Sequence, residues 1–121
     1  MIVRNPTRES VLGSAVEVAG TSASRAKGLL GRDQLASGEG LLFKHCSSLH
    51  TFFMRFPIDI IFADRSGRVL KVSKAVGPFR LVAAPLRAHY ALELPAGAIE
   101  TSQTREGDTL IFEEEVSVLA S

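Results

Sequence analysis

The stretch His50-Thr51-Phe52-Phe53-Met54-Arg55-Phe56-Pro57-Ile58-Asp59-Ile60-Ile61-Phe62 decides the fold, because aromatic and aliphatic residues dominate it. A segment of this composition belongs in a protein core. A charged side chain inside a core is costly unless it is paired or hydrogen-bonded. Arg55 and Asp59 are two such charges, so this stretch also bears on function.

Strand periodicity continues on both sides of Pro57. The pattern predicts strands from Thr51 to Arg55 and from Ile58 to Ala63, because proline cannot donate a ladder hydrogen bond and marks a strand start or a kink. Within the second strand, alternation places Asp59 on the face opposite Ile58, Ile60 and Phe62. Asp64-Arg65-Ser66-Gly67 then predicts a hairpin turn, in which Gly67 supplies a positive φ. The return strand runs from Arg68 to Val76.

The remaining segments are short. Alternation or apolar runs predict further strands at Val11 to Ala19, Gly40 to Phe43, Ala88 to Leu94 and Thr109 to Glu113. Short helices are predicted from Ala23 to about Leu30 and within Pro95 to Gln103. About six or seven strands and one or two short helices, joined mostly by local hairpins, indicate a mainly β (α+β) domain, an antiparallel barrel-like fold or a sandwich.

Composition narrows the possible partners. The chain has 121 residues, a formal net charge of +1 and scattered basic residues, which predicts one domain over residues 1–121 and no nucleic-acid partner. No segment approaches the ~20 apolar residues of a membrane span. The N-terminus shows no secretory signal, so we expect a cytoplasmic location. Cys46 is the single cysteine and has no intramolecular disulfide partner.

Asp59 allows two interpretations. As a cleft carboxylate it would act as a general base or bind a polar group of a ligand. As a structural carboxylate it would pair with Arg32 or Arg55, or cap backbone N–H groups. Glu93, between Leu92 and Leu94, likewise either faces Asp59 as the second carboxylate of an acid/base pair or accepts hydrogen bonds from the turn at Ala96-Gly97 or from an arginine.

Three possible metal ligands, His45, Cys46 and His50, lie within six residues. They lack the paired spacing of zinc sites, so no metal and no cofactor are expected, and the simpler interpretation is a loop with a buried thiol. Phe52 and Phe53 must face opposite sides of a strand. One side is core, and the other is either an exposed binding surface or is covered by the helix from Ala23 to Leu30.

Five segments, in order, resemble the domain of unknown function 192 (DUF192) family of small bacterial and archaeal proteins. They are Arg25 to Arg32, Gly40 to Phe43, Phe52 to Arg55 with Pro57 to Phe62, Glu93 to Gly97, and Gly107-Asp108. The resemblance covers about residues 11–113. The family pattern commonly has Trp where Phe53 stands, and a longer polar stretch before Pro57.

The resemblance implies a β-rich, barrel-like fold with one or two helices, and relatives that are often exported. It carries over no reaction, substrate or cofactor. It favours a shared pocket built from the polar residues of the motifs. The candidate binding residues are Arg32, Phe53, Met54, Arg55, Asp59 and Glu93.

Three functional hypotheses follow. The leading one is a binding module whose cleft near Asp59 holds a small polar molecule or a peptide. The second is a hydrolase or transferase that uses Asp59 and Glu93 as an acid/base pair. The third is an assembly protein that works through a strand edge or an apolar patch.

Overall fold

A computed structural model describes residues 1–19, 35–44, 48–50, 56–78 and 80–114, and of residues 48–50 it describes the backbone alone. The elements in these ranges are β1 Ile2–Asn5, β2 Ser10–Gly13, β3 Ala15–Ala19, β4 Glu39–Lys44, β5 Ser48–His50, β6 Ile58–Ala63, β7 Val69–Val76, β8 Leu81–Ala83, β9 Tyr90–Pro95, α1 Ala98–Ser102 and β10 Ile111–Glu113. A 3-10 turn, Pro6–Arg8, joins β1 to β2. The predicted mainly β fold is confirmed.

The strands of the described ranges form three sheets. The central one has the order β3-β4-β9-β6-β7, a second has the order β10-β1-β2, and β5 pairs with β8. Within the described residues the sheets do not close into a barrel, and the arrangement is sandwich-like. More strands are present than predicted, because several are only three or four residues long.

One strand pair departs from the antiparallel prediction. β3 and β4 are parallel, with Ala15 opposite Glu39 and Ala19 opposite Phe43. Parallel neighbours require a crossover connection of about a dozen residues or more, and residues 20–38 provide that length. The strand Gly40 to Phe43 was predicted, but its direction relative to β3 is a tertiary property.

The three inner strands of the central sheet, β4, β9 and β6, are buried on both faces, as the stretch around Asp59 predicted for β6. All six residues of β6 are buried. One face packs around Ile58, Ile60 and Phe62. The other packs around Ile61, Leu92 and Leu94 together with Val16 and Ile99 of neighbouring elements. The two-residue alternation predicted for β6 is therefore confirmed.

The N-terminal third differs from prediction in two places. Ile2–Asn5 forms β1, which was not predicted and pairs with both β2 and β10. The predicted strand Val11 to Ala19 is divided at Ser14, where the backbone N–H groups of Ser14 and Ala15 both donate to the Gly38 carbonyl, at 2.9 and 2.8 Å. This turn moves the chain from the three-stranded sheet into the central sheet.

The predicted hairpin at Asp64 to Gly67 is confirmed. Gly67 has φ +89°, in the left-handed region that favours glycine. One oxygen of Asp64, Oδ1, accepts hydrogen bonds from the Ser66 N–H, the Ser66 hydroxyl and the Arg68 N–H. The predicted helical turn after Pro95 is also confirmed as α1. The predicted helix from Ala23 to Leu30 and strand from Thr51 to Arg55 lie outside the described residues.

Candidate functional site

Asp59 lies opposite a bulge in β7. Ile58 pairs with Val76 and Ile60 with Ser73, so two residues of β7 face the single position of Asp59. One of them, Ala75, has φ +48°, and its N–H donates to Asp59 Oδ1 at 2.8 Å. An extra residue in one strand leaves a backbone group without its ladder partner. The carboxylate supplies that partner.

The second oxygen of Asp59 holds the entry to α1. Oδ2 accepts hydrogen bonds from the backbone N–H of Gly97 at 3.1 Å and of Ile99 at 2.9 Å. The first N–H groups of a helix have no partner within the helix and need an acceptor from elsewhere. Gly97 itself, with φ +100°, supplies no side-chain cap. Asp59 therefore ties both β7 and α1 to β6.

The structural interpretation of Asp59 as a carboxylate that caps backbone N–H groups is confirmed. Its side chain is only 1% exposed, so solvent and substrate do not reach it directly. Three donors from two elements fix both oxygens. Within the described residues, Asp59 acts by positioning the segment that leads into α1.

Glu93 does not join Asp59. In the pairing of β6 with β9, Glu93 stands opposite Ile60 and Asp59 opposite Leu94, so the two carboxylates project from opposite faces of the central sheet. The predicted acid/base pair across the interior is therefore wrong. The turn at Ala96-Gly97, one predicted donor to Glu93, instead donates the Gly97 N–H to Asp59. Glu93 is buried and has interactions of its own.

The other predicted site residues lie outside the described residues. These are Arg32, Phe53, Met54, Arg55, His45 and Cys46. His50 belongs to β5, of which only the backbone is described. In the described part of the chain, no three His, Cys, Asp or Glu side chains come close enough together to hold a metal ion.

A cleft of about 510 Å³ opens beside the segment that Asp59 holds. One wall is the whole of β2 with Ser14, and the opposite wall is the turn Pro95 to Ala98 with Thr101 and Ser102 of α1. Ser37 and Gly38 also line the cleft, and Gly38 lies beside Ser14, whose N–H donates to its carbonyl. Neither Asp59 nor Glu93 lines it, and the link to Asp59 is the Gly97 N–H.

The residues that line this cleft are uncharged, and most of them have small side chains. Its described lining carries hydroxyl groups, small apolar side chains and backbone amides, and none of its residues is Asp, Glu, Lys, Arg or His. A Cβ atom added to Gly97 would meet no atom within 4 Å, so this part of the wall is open. Such a surface can form hydrogen bonds with an uncharged ligand. It also lets the ligand come close to the backbone of the protein.

A buried polar network supports the α1 side of the cleft. Ser10 donates from its hydroxyl to the Ser102 carbonyl at 2.8 Å, and the hydroxyls of Ser102 and Thr104 are 2.7 Å apart. The Asn5 amide donates to Thr104 at 3.1 Å and to Asp108 at 3.0 Å. This chain of contacts connects β1, β2 and α1, and it fixes the spacing of the cleft walls.

Asp108 anchors the far end of that network. Arg8 donates to both of its oxygens, at 3.0 and 3.1 Å, and the Arg105 N–H donates at 3.0 Å. Burial alone would raise the pKa of Asp108, but the hydrogen bonds from Arg8, Asn5 and Arg105 together hold that pKa below its ordinary value. The carboxylate is thus stabilised in its charged form.

The cleft was not predicted from the sequence, although three of the residues that line it belong to a motif recognised there. Pro95, Ala96 and Gly97 belong to one of the motifs quoted above, and serine and glycine recur together at Gly13-Ser14 and Ser37-Gly38. These pairs are a signal for tight turns. Nothing in their spacing indicated that the three segments meet.

Comparison with known proteins identifies the family. The model of the DUF192 family, described as uncharacterized ACR, matches residues 3–112. The chain belongs to the DUF192 family. The predicted resemblance is confirmed, and it extends further toward the N-terminus than the quoted motifs, to include β1.

Two relatives of this DUF192 protein carry the family name UPF0127. It is 30% identical over 115 residues to a UPF0127 protein of Thermococcus kodakarensis, a match that covers 90% of this chain and 71% of that protein. A UPF0127 protein of Thermococcus gammatolerans is 31% identical over 120 residues, covering 93% and 75% of the two chains.

Solved structures show the same fold. A protein of unknown function from Novosphingobium aromaticivorans superposes with a TM-score of 0.71 at 27% identity, covering 80% of this chain and 74% of that one. A Sinorhizobium meliloti protein, described as a candidate transcription regulator, gives a TM-score of 0.72 at 25% identity and covers 79% of each chain. In the described part of this DUF192 protein, no helix has the length and apolar character needed to cross a membrane.

Proposed function

We propose that this DUF192 protein is a binding module, and that its site is the cleft between β2 and the Pro95 to Ala98 turn. The observation that carries the proposal is the make-up of the cleft, which has a volume of about 510 Å³. Its lining consists of hydroxyl groups, apolar side chains and backbone, with no charged side chain. Ligand sites in proteins commonly have volumes of about 300–1,000 Å³ with a few placed polar groups.

The lining selects for an uncharged ligand. A charged group placed in this cleft would lose hydration without gaining a counter-charge from the residues that line it. An uncharged polar ligand exchanges its hydrogen bonds with water for bonds to Ser14, Thr101 and the wall backbone. The expected ligand is therefore a small, neutral molecule with several hydrogen-bonding groups, or a peptide segment.

Asp59 supports this function indirectly. It holds Gly97 and Ile99 by their backbone N–H groups, and Gly97 is part of the cleft wall. A wall held in place before the ligand arrives loses less conformational entropy on binding. In this proposal Asp59 is a positioning residue and does not contact the ligand.

A thermal-shift screen with paired variants tests the proposal. The compounds are neutral sugars, polyols, amides and capped dipeptides, each beside a charged analogue. We expect one or more neutral compounds to raise the melting temperature, since a ligand at 100 times its Kd stabilises by about 2.7 kcal/mol. Direct titration by calorimetry then gives the Kd of each hit.

Thr101→Trp and Thr7→Trp form the matched pair. Thr101 is exposed and lines the cleft, whereas Thr7 is exposed in the 3-10 turn and does not line it. Thr101→Trp should weaken binding at least tenfold without lowering the melting temperature of the unliganded protein, and Thr7→Trp should bind like the wild type. Binding confined to charged compounds, no binding at all, or equal binding by both variants would contradict the proposal.

A further inference from the structure

The shape of the cleft points to the kind of ligand it holds. Five consecutive residues, Ser10 to Ser14, line one wall. Side chains along a strand alternate between two faces, so one face of β2 would contribute only every second residue. Four of the five form β2, whose pairing with β1 shifts register at Leu12, and Ser14 is the turn that follows. Successive residues of β2 border the cleft where it follows the edge of the strand, along its backbone.

That edge of β2 has no neighbouring strand in the described residues. β2 is the end strand of the sheet β10-β1-β2, and its described strand pairing is with β1 alone. An end strand presents backbone N–H and C=O groups that can pair with another extended segment. The four residues of β2 span about 13 Å, the length over which such a segment would lie in the cleft.

The wall opposite β2 also fits an extended segment. Pro95, Ala96, Gly97 and Ala98 are four consecutive residues with small side chains, so the wall comes close to the chain that would lie between it and β2. Gly97 leaves open space where a side chain would otherwise project. The lining has no charged side chain, which matches a neutral segment.

We infer that the cleft binds an extended, uncharged peptide segment of a partner protein, which adds to the edge of β2 as a further strand. Backbone hydrogen bonds to β2 provide the affinity, and the neutral small-residue wall selects uncharged side chains of modest size. This inference rests on the proposed function and narrows its ligand to a polypeptide.

The test uses a library of capped hexapeptides built from Ala, Gly, Ser, Thr and Val, titrated into the full chain. We expect some members to bind the wild type and Thr7→Trp, and to bind Thr101→Trp at least tenfold more weakly. Hydrogen–deuterium exchange should slow in the complex at those amides of Ser10 to Gly13 that do not already donate to β1. A library that binds Thr101→Trp as well as the wild type would overturn the inference.

N-methylation of the best binder separates strand addition from other ways of binding a peptide. In an added strand, alternate residues direct their N–H groups toward the edge strand. Methylating one alternate set of amides should weaken binding at least tenfold, and methylating the other set should leave it within twofold. Equal loss from both sets would contradict strand addition.

The two proposals fail in different ways. If no hexapeptide binds but a neutral small molecule does, and Thr101→Trp abolishes that binding, the peptide inference is wrong and the binding function stands. If neither the hexapeptides nor the neutral compounds bind, both are wrong.

Discussion

The carboxylate of Asp59 accepts a hydrogen bond of 2.9 Å from the backbone N–H of Ile99, 40 positions further along the chain. This contact joins β6 of the central sheet to the first turn of α1. The other oxygen of Asp59 accepts from Ala75 in the bulge of β7. One buried side chain thus sets the relative positions of two elements, and through Gly97 it also sets one wall of the cleft.

Asp59→Asn should destabilise the fold. Both carboxylate oxygens accept hydrogen bonds, so the NH₂ group of the amide would face a backbone N–H in either orientation. A buried polar group left without a partner costs about 1–3 kcal/mol, and we expect a loss of free energy of unfolding in that range. Urea unfolding followed by circular dichroism measures it.

Asp64→Asn is the matched control for that variant. All three hydrogen bonds to Asp64 end on one oxygen, Oδ1, and the amide oxygen of Asn can accept the same three. We expect a loss below about 1 kcal/mol at this solvent-exposed turn. If Asp64→Asn lowered the free energy of unfolding as much as Asp59→Asn, the effect at Asp59 would not come from the hydrogen bonds that both of its oxygens accept.

The stability of the protein should fall in acid because of Asp108. The folded-state pKa of Asp108 lies below its ordinary value, which in an unfolded chain is about 3.9. Its contribution to stability is therefore fully present above that value and is lost as the pH falls through the folded-state pKa. Urea unfolding between pH 2 and 7 should show this loss beginning below about pH 4.

Arg8→Gln should move the acid loss to higher pH. Burial raises the pKa of Asp108, and the Arg8 guanidinium is one of the groups that lower it. Without that group the pKa of Asp108 should rise. Arg4→Gln is the control, since it removes the same charge from an exposed pair with Glu113, in which both side chains are more than 40% exposed. The pH at which stability begins to fall should be higher than in the wild type for Arg8→Gln. For Arg4→Gln it should equal the wild-type value. Carbon-13 NMR of the Asp108 carboxyl group follows the pKa directly.

Substituting glycines with alanine should separate backbone strain from steric overlap. At Gly67 both act, because φ is +89° and an added Cβ would fall on the Leu110 carbonyl oxygen. At Gly107 φ is +93° but the space is open, so only strain acts. We expect Gly107→Ala to lose about 1–2 kcal/mol and Gly67→Ala to lose more. Thermal and urea unfolding measure both losses.

Two further glycines complete the set. At Gly40 the backbone is ordinary, but an added Cβ would lie 2.8 Å from the Glu93 carbonyl oxygen, so only overlap acts. At Gly77 neither factor applies, and alanine should leave stability unchanged or raise it by up to about 1 kcal/mol. A loss at Gly77 equal to that at Gly107 would show that left-handed φ is not the cause of the Gly107 effect.

The local features of this fold were predictable from local chemistry. The alternation of Ile58 to Ala63 predicted its two buried faces, and the residues Asp64 to Gly67 predicted their turn. Both depend on contacts between residues that are near in sequence. The DUF192 resemblance was likewise carried by short segments, and the family match confirms it.

The site was much less predictable, because it depends on pairing between distant segments. Asp59 was correctly singled out as a charge in an apolar strand, but its partners Ala75, Gly97 and Ile99 are backbone groups that no sequence pattern reveals. One of the two interpretations of Glu93 placed it beside Asp59. A register that places Ile60 opposite Glu93 sends the two carboxylates to opposite faces.

By itself, the sequence determined the secondary structure around its apolar stretch, the hairpin at Gly67 and the burial of Asp59, because side-chain period and turn chemistry act over a few residues. Only the tertiary structure decided that β3 and β4 run parallel, that Asp59 caps α1, and that β2 and the Pro95 turn enclose a neutral cleft. Each of these is fixed by the register and packing of elements far apart in the chain, where the free energy comes from contacts that exist only once the sheets have assembled.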